Sequence, residues 1–181
     1  MTRAVVSLTS LIVLLARTIG ASAAEPKVVR ADERLEVDEV VRQLQPPKPA
    51  TKTRSIRRVA DVATSNSNGL SLQVGFAYDS AELPAQSTAQ LQALALGILA
   101  LDPAAKIQVV GHTDALGQPA YNDELSRRRA AAVRDRLVEL GVPGRLMIIN
   151  GLGSRQPAAG LAPEASQNRR VEVLRQAENS P

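Results

Sequence analysis

The feature that most constrains the fold of this chain is a change of hydrophobic periodicity that recurs between Gly69 and Leu174. Apolar residues that alternate with polar ones predict strands, and apolar residues that recur every three or four positions predict helices. The order of these segments is strand, helix, strand, helix, strand, strand. It predicts an α+β domain in which two main helices pack on one face of a small mixed sheet. The predicted strands are residues 70–78, 106–111, 146–150 and 169–174.

Proline and glycine mark the ends of the two predicted helices. Pro84 suits a first helical turn, and Asp102-Pro103 ends the apolar helical face that follows it. The second helix begins near Pro119 or Ala120 and ends at Gly141, two residues before Pro143. Five of its side chains are predicted to point inward, namely Tyr121, Leu125, Val133, Leu137 and Leu140.

Residues 1–24 are typical of a secretory signal peptide. Arg3 gives a positive start, the run Ala4–Ala16 is apolar, and Ala21-Ser22-Ala23 supplies the small residues of a cleavage site. The apolar run is shorter than the roughly 20 residues that a membrane-spanning helix needs. We therefore expect cleavage after Ala23 or Ala24, with an uncleaved anchor as the alternative. We expect no spanning segment elsewhere and no outer-membrane barrel.

The remaining chain divides into a spacer, a domain and a tail. Residues 25–68 are predicted to be a largely flexible spacer with a short amphipathic helix over about Asp32–Leu44, ended by a proline-rich stretch. Residues 69–176 form the predicted domain, and residues 177–181 form a tail.

Composition excludes several classes of site. The chain has no cysteine, which rules out disulfides, zinc thiolate sites, thiol catalysis and a lipid-modified N-terminal cysteine. With one Phe, two Tyr and no Trp, it has few aromatic faces on which sugars or bases could stack. Removing Arg3 and Arg17 from the net charge of +4 leaves +2. The basic run between Lys48 and Arg58 is typical of a solvated stretch, and an anionic-polymer site is the alternative.

The most informative motif follows the second predicted strand and continues into the second helix. Five pieces occur in order: FAYDSAEL, GHTDALG, YNDELSRRRAAAV, GLGSRQP and NRRVEV. Together they cover essentially Leu70–Leu174 and resemble the outer-membrane protein A-like peptidoglycan-binding domains. That family includes the peptidoglycan-associated lipoprotein and the C-terminal part of the flagellar stator protein MotB. The resemblance implies non-covalent binding of peptidoglycan through the diaminopimelate of its stem peptide.

A receptor for diaminopimelate must hold an ammonium and a carboxylate that share one carbon. A fixed carboxylate and a planar guanidinium a few ångströms apart meet this need. The resemblance assigns these roles to Asp114 of GHTD and Arg129 of the LSxxRA pattern. Arg129 shares a helix face with Leu125 and Val133, whereas Arg127 and Arg128 point elsewhere. An internal ion pair between Asp114 and Arg129 without a ligand is the alternative, because a buried cation needs a partner.

Four further residues are candidates for the same pocket. Asn122 either caps the helix start or touches the ligand. Strand parity places Arg169 on the core side and Arg170 outside, and the resemblance puts Arg169 at the pocket border. Asp79 lies in the first strand-to-helix turn, which the resemblance places at the rim. The candidate ligand-binding residues are Asp79, Thr113, Asp114, Asn122, Arg129 and Arg169.

The sequence predicts a binding protein and no enzyme. A hydrolase that uses His112 and Asp114 is the alternative, but no G-x-S-x-G elbow is present and His112 is the one histidine. We expect no cofactor, no catalytic residue, no metal and no nucleic-acid partner. The expected location is the periplasm of a Gram-negative bacterium, at the cell wall and near the outer membrane. Residues 25–68 are the predicted contact for an envelope protein partner.

Overall fold

A computed structural model describes residues 26–45 and 69–176 of the chain. The predicted signal peptide, the part of the spacer over residues 46–68 and the tail lie outside the described residues. The strands are β1 (Lys27–Val29), β2 (Gly69–Leu72), β3 (Ile107–Gly111), β4 (Met147–Gly151) and β5 (Val171–Arg175). The helices are α1 (Val37–Leu44), α2 (Thr88–Leu99) and α3 (Pro119–Glu139), and single 3-10 turns lie at Ala85–Ser87, Gly144–Leu146 and Ser166–Asn168.

The strands form one mixed sheet in the order β1-β2-β5-β3-β4. Strand β5 is antiparallel to both β2 and β3, whereas β1 pairs with β2 and β4 pairs with β3 in parallel. The register aligns Leu70, Val173 and Val109 across three strands, and all three side chains are buried in the core. Leu94 of α2 and Val133 of α3 belong to the same core. The predicted mixed α+β sheet with its helical layer is therefore confirmed.

The segment before β2 corrects the predicted domain boundary. Residues 26–45 were expected to belong to a spacer, but they add an edge strand to the sheet and a helix, α1, to the core. Helix α1 begins at Val37 rather than near Asp32. Its Val40 packs on α2 where Gly97 leaves room, since a Cβ at Gly97 would lie 2.5 Å from the Val40 Cβ. The side chain of Gln90 also donates to the carbonyl oxygens of Arg30 and Glu33, at 2.5 and 2.8 Å.

The first predicted strand is shorter than its alternating pattern suggests. Its ladder ends at Leu72, although Val74 and Phe76 continue the alternation as buried side chains. The chain then turns into the helical layer through the 3-10 turn that follows Pro84. The residues after Leu72 are therefore free to form the turn that borders the site.

Two glycines set the distance between α3 and the sheet. A Cβ at Gly111 would lie 2.7 Å from the carbonyl carbon of Ser126, and a Cβ at Gly151 would lie 2.6 Å from the backbone nitrogen of Arg127. A side chain would not fit at either position, so α3 can approach the sheet this closely only because both residues are glycine. The close approach brings the first turns of α3 over the ends of β3 and β4, beside residues 113 and 114.

Candidate functional site

A cavity of about 100 Å³ lies where β3 ends, between the start of α3 and the turn that follows β2. Strand ends and the loops after them are where sites in sheet-containing domains commonly form. The structure brings the six predicted site residues together, because all of them line this cavity: Asp79, Thr113, Asp114, Asn122, Arg129 and Arg169.

Arg129 is the most deeply buried charged group of the site, with 1% of its surface exposed. Its Nε donates to the carbonyl oxygen of Ser80 at 2.9 Å, and its Nη2 donates to that of Ala77 at 3.2 Å. The guanidinium lies 5.0 Å from the centre of the Phe76 ring. Its Nη1 has no hydrogen-bond partner. A buried donor without a partner is costly, so this nitrogen is a position where a ligand oxygen would be bound favourably.

The electrostatic surroundings of Arg129 are unusual for an arginine. Burial lowers its pKa, and the like charge of Arg169 lowers it further, whereas Asp114 and Asp79 act in the opposite direction. An arginine remains protonated in proteins even so. The site therefore contains two cations and two anions close to one another.

Asp114 does not form the direct ion pair with Arg129 that the sequence left open. Its Oδ2 instead accepts a hydrogen bond from Arg169 Nη1 at 2.8 Å, and the Asp114 side chain is almost entirely buried. Arg169 is more accessible and lies at the edge of the cavity. Arg129 is thus left without a carboxylate in hydrogen-bond contact, and Asp114 is held in place by a partner that is partly exposed.

Asn122 and Thr113 have different surroundings in the site. The Asn122 amide donates to the carbonyl oxygens of Leu116 and Asp114, at 2.9 and 3.4 Å, and so fixes the loop that follows β3. The backbone N–H of Thr113 donates to Gly153 O at 2.9 Å, whereas its hydroxyl is buried without a partner. The fold therefore accounts for the buried Asn122 amide, whereas it gives the buried Thr113 hydroxyl no hydrogen-bond partner.

The predicted orientations of Arg169 and Arg170 are wrong. Arg170 is the buried residue, paired with Glu172 at 2.7 Å and with Gln156 O at 3.1 Å. Arg169 is half-exposed and reaches the cavity. Strand parity fails here because β5 begins at Val171, and Arg169 instead ends a 3-10 turn with a ψ of 76°.

Tyr121 is a residue of the site that the sequence analysis placed in the core. It is 43% exposed, and its hydroxyl donates to Asp79 across the mouth of the cavity. Arg128 lies 5.8 Å from the centre of its ring and donates to its oxygen at 3.4 Å. Asp79 is the one non-glycine residue with positive φ in the described ranges, at 53°. The spacing of Tyr121, Leu125 and Arg129 on one helix face was the signal that could have placed Tyr121 here.

His112 lies outside the cavity and is sealed from solvent, with none of its surface exposed. Its Nε2 lies 3.6 Å from a carboxylate oxygen of Glu172. Burial acts to raise the pKa of Glu172, but contact with His112 and Arg170 outweighs it, so the pKa is lowered from its usual 4.5. A side chain that solvent cannot reach is poorly placed to activate a water or attack a polymer.

Within residues 26–45 and 69–176, none of the helices is both long and apolar enough to cross a membrane. No three acidic or histidine side chains in those ranges are grouped in a way that could hold a metal ion.

The fold is an α+β domain with a small cavity at the end of β3, lined by two carboxylates and two arginines. The OmpA family model matches residues 75–170, more than half of the chain. The chain belongs to this family, whose domains commonly bind peptidoglycan.

Two similar proteins and one similar solved structure agree with this assignment. Outer membrane porin F of Pseudomonas fluorescens is 41% identical over 105 residues, which are 56% of this chain and 32% of the porin. The outer-membrane lipoprotein YfiB of Pseudomonas aeruginosa is 37% identical over 112 residues, 61% of this chain and 66% of the lipoprotein. The crystal structure of the peptidoglycan-associated lipoprotein from Burkholderia pseudomallei matches with a TM-score of 0.53 and 35% identity, covering 59% of this chain and 89% of that one. The chain spans about a third of the length of the porins it matches.

Proposed function

We propose that this domain binds the stem peptide of peptidoglycan through the side-chain head group of diaminopimelate, and that it does no chemistry on the polymer. The observation that carries the proposal is the unpaired Nη1 of the buried Arg129, in a cavity that also holds Asp114. A ligand carboxylate would give this nitrogen the acceptor that the protein does not supply. An ammonium on the same ligand carbon would reach the oxygen of Asp114 that Arg169 does not hold.

The charge balance of the cavity favours a zwitterion over a simple ion. Asp79, Asp114, Arg129 and Arg169 contribute two negative and two positive charges. A ligand that brings one charge of each sign leaves the site neutral, whereas a lone anion or cation leaves an uncompensated charge in a poorly solvated place. The role of Arg169 is to keep Asp114 paired while the site is empty.

The proposed location is the periplasm, in contact with the cell wall. The supporting observations are the signal-like residues 1–24 and relatives whose names place them at the outer membrane. Because residues 26–45 are packed into the domain, the proposed contact with an envelope protein narrows to residues 46–68. That part of the proposal lies outside the described residues.

Co-sedimentation with purified cell walls tests the proposal. Wild-type protein should pellet with diaminopimelate-type sacculi, and it should stay in solution with lysine-type walls, which lack the side-chain carboxylate. Asp114→Asn and Arg129→Met should each weaken binding at least about tenfold, because each removes a charge-assisted contact. Arg127→Ala is the matched control, since Arg127 is an exposed arginine of the same helix that pairs with Glu124. Circular dichroism must show that all variants are folded at the assay temperature.

Equal pelleting of the wild type and both pocket variants would refute the proposed receptor. The same incubations distinguish the two alternatives. Soluble wall fragments that disappear in a His112→Ala variant would establish a hydrolase. Retention that survives Asp114→Asn and falls steeply with salt would instead establish an anionic-polymer binder.

A further inference from the structure

Two of the chain's three aromatic residues line this cavity, and the third packs against Arg129 behind it. The sequence has one Phe, two Tyr and no Trp. Phe76 lies beneath the Arg129 guanidinium, and Tyr78 and Tyr121 both line the cavity. By composition alone, a chain with so few aromatic residues has few side chains that could stack on sugars. The fold changes that argument because it places both tyrosines at the mouth of the same cavity.

The two tyrosines differ in the contacts that they make within the protein. The ring of Tyr121 is covered by Arg128, and its hydroxyl is committed to Asp79. Tyr78 is 84% exposed and makes no hydrogen bond or ring contact with other described residues. The backbone beneath it is nevertheless fixed, because Arg129 binds the carbonyl oxygens on either side of it, those of Ala77 and Ser80. The fold therefore presents a bare aromatic ring on an anchored turn.

The size of the cavity leaves most of any wall fragment outside it. About 100 Å³ holds one amino-acid head group, well below the roughly 300–1,000 Å³ of pockets that enclose whole small ligands. The rest of the fragment must cross the mouth, where Tyr78 and Leu116 are exposed. Two residues of the stem and the diaminopimelate side chain separate the seated head group from the sugar, a linker of roughly 12–15 Å when extended. The linker is flexible, so the sugar can fold back onto a ring at the rim.

We infer that Tyr78 is a stacking platform for an amino-sugar ring of the glycan strand, next to the head-group pocket. The inference rests on the proposed function and extends it from the peptide to the sugar. One face of a pyranose ring carries apolar C–H groups, which pack well on the face of an aromatic ring. A single methyl group of a stem alanine would cover only a small part of a ring this exposed.

Isothermal titration calorimetry with two ligands tests the inference. One ligand is the diaminopimelate tetrapeptide, and the other is the same tetrapeptide attached to its disaccharide. Wild-type protein should bind the disaccharide form about 3- to 10-fold more tightly, the size of one aromatic packing contact. Tyr78→Ala should reduce that ratio to about one, because it removes the ring on which the sugar packs. Tyr78→Phe keeps the ring and should keep the ratio. Ile148→Ala, an exposed apolar residue of β4 outside the cavity, is the matched control.

The outcomes separate this inference from the proposed function. Equal affinity of wild-type protein for both ligands overturns the sugar platform while leaving head-group binding intact. A Tyr78→Ala variant that weakens both ligands by the same factor also overturns it, because Tyr78 would then contact the peptide. If neither ligand binds the wild type, the proposed function fails together with the inference. Since Tyr78 makes no contact that holds the fold, the variants should unfold at the wild-type temperature.

Discussion

The roles of the two pocket arginines can be separated by combining a change in the protein with a change in the ligand. The ligand change is amidation of the diaminopimelate carboxylate, which removes its negative charge with almost no change in shape. The protein change is Arg129→Met, which keeps a side chain of similar length without the charge. In the structure only Nη1 of Arg129 is wholly unpaired, because Nε and Nη2 already bind the turn. We therefore expect Arg129 to supply one charge-assisted interaction, worth about 1.5–3 kcal/mol.

That free energy corresponds to a loss of about 10- to 150-fold in affinity when the ligand of the wild-type domain is amidated. In Arg129→Met the amidated and free tetrapeptides should bind almost equally, because the group that distinguishes them is gone. Calorimetric titration of both ligands into both proteins gives the coupling free energy directly. An Arg129→Met variant that still discriminates fully between the ligands would contradict the assignment and point to Arg169 as the carboxylate partner. Arg169→Met is the companion variant, and it should retain most of the discrimination.

Two further predictions concern stability, and both are measured by urea unfolding followed by circular dichroism. Gly97→Ala should introduce a clash with Val40 that costs about 1–3 kcal/mol, against a gain of about 1 kcal/mol in helix propensity. In combination with Val40→Gly the two changes should be non-additive by about 0.5–3 kcal/mol, and additivity would show that α1 does not dock on Gly97. Glu172→Gln should destabilise the domain by about 1–3 kcal/mol at neutral pH. Because the folded pKa of Glu172 lies below its usual 4.5, its contribution is present above that pH and lost as the pH falls through the folded pKa. The destabilisation should therefore vanish in acid, and a difference that persists there would argue against an ionised Glu172 in the folded state.

The parts of the fold that sequence predicts well are those in which burial follows a simple period. Residues 107–111 and 171–174 are pleated strands with one face against the helices, so alternation reports their orientation correctly. Arg129 was placed inward for the same reason, since it shares a helix face with Leu125 and Val133. The predicted site residues therefore lie around one cavity as expected. The hydrogen bonds that they make differ from the ion pair that the sequence suggested.

The parts that sequence did not predict depend on contacts between distant segments. Strand β1 has only three residues, and nothing local distinguishes it from an extended linker. The docking of α1 requires the space at Gly97, which lies more than fifty residues away along the chain. Arg169 and Arg170 exchange their expected environments because a 3-10 turn resets the phase just before β5. Periodicity carries no information about such interruptions.

The position of β1 has a consequence for a domain that is fastened at both ends. Strands β1, β2 and β3 all run in the same direction, since β5 is antiparallel to both β2 and β3. The cavity lies at the far end of β3, whereas the chain enters β1 at the opposite end of the sheet. If residues 1–24 were retained as an anchor, the alternative that the sequence leaves open, tension between that anchor and a wall strand held in the cavity would run lengthwise along the strands. The bonds between β1 and β2 would be loaded in shear and resist together, rather than being peeled apart one by one.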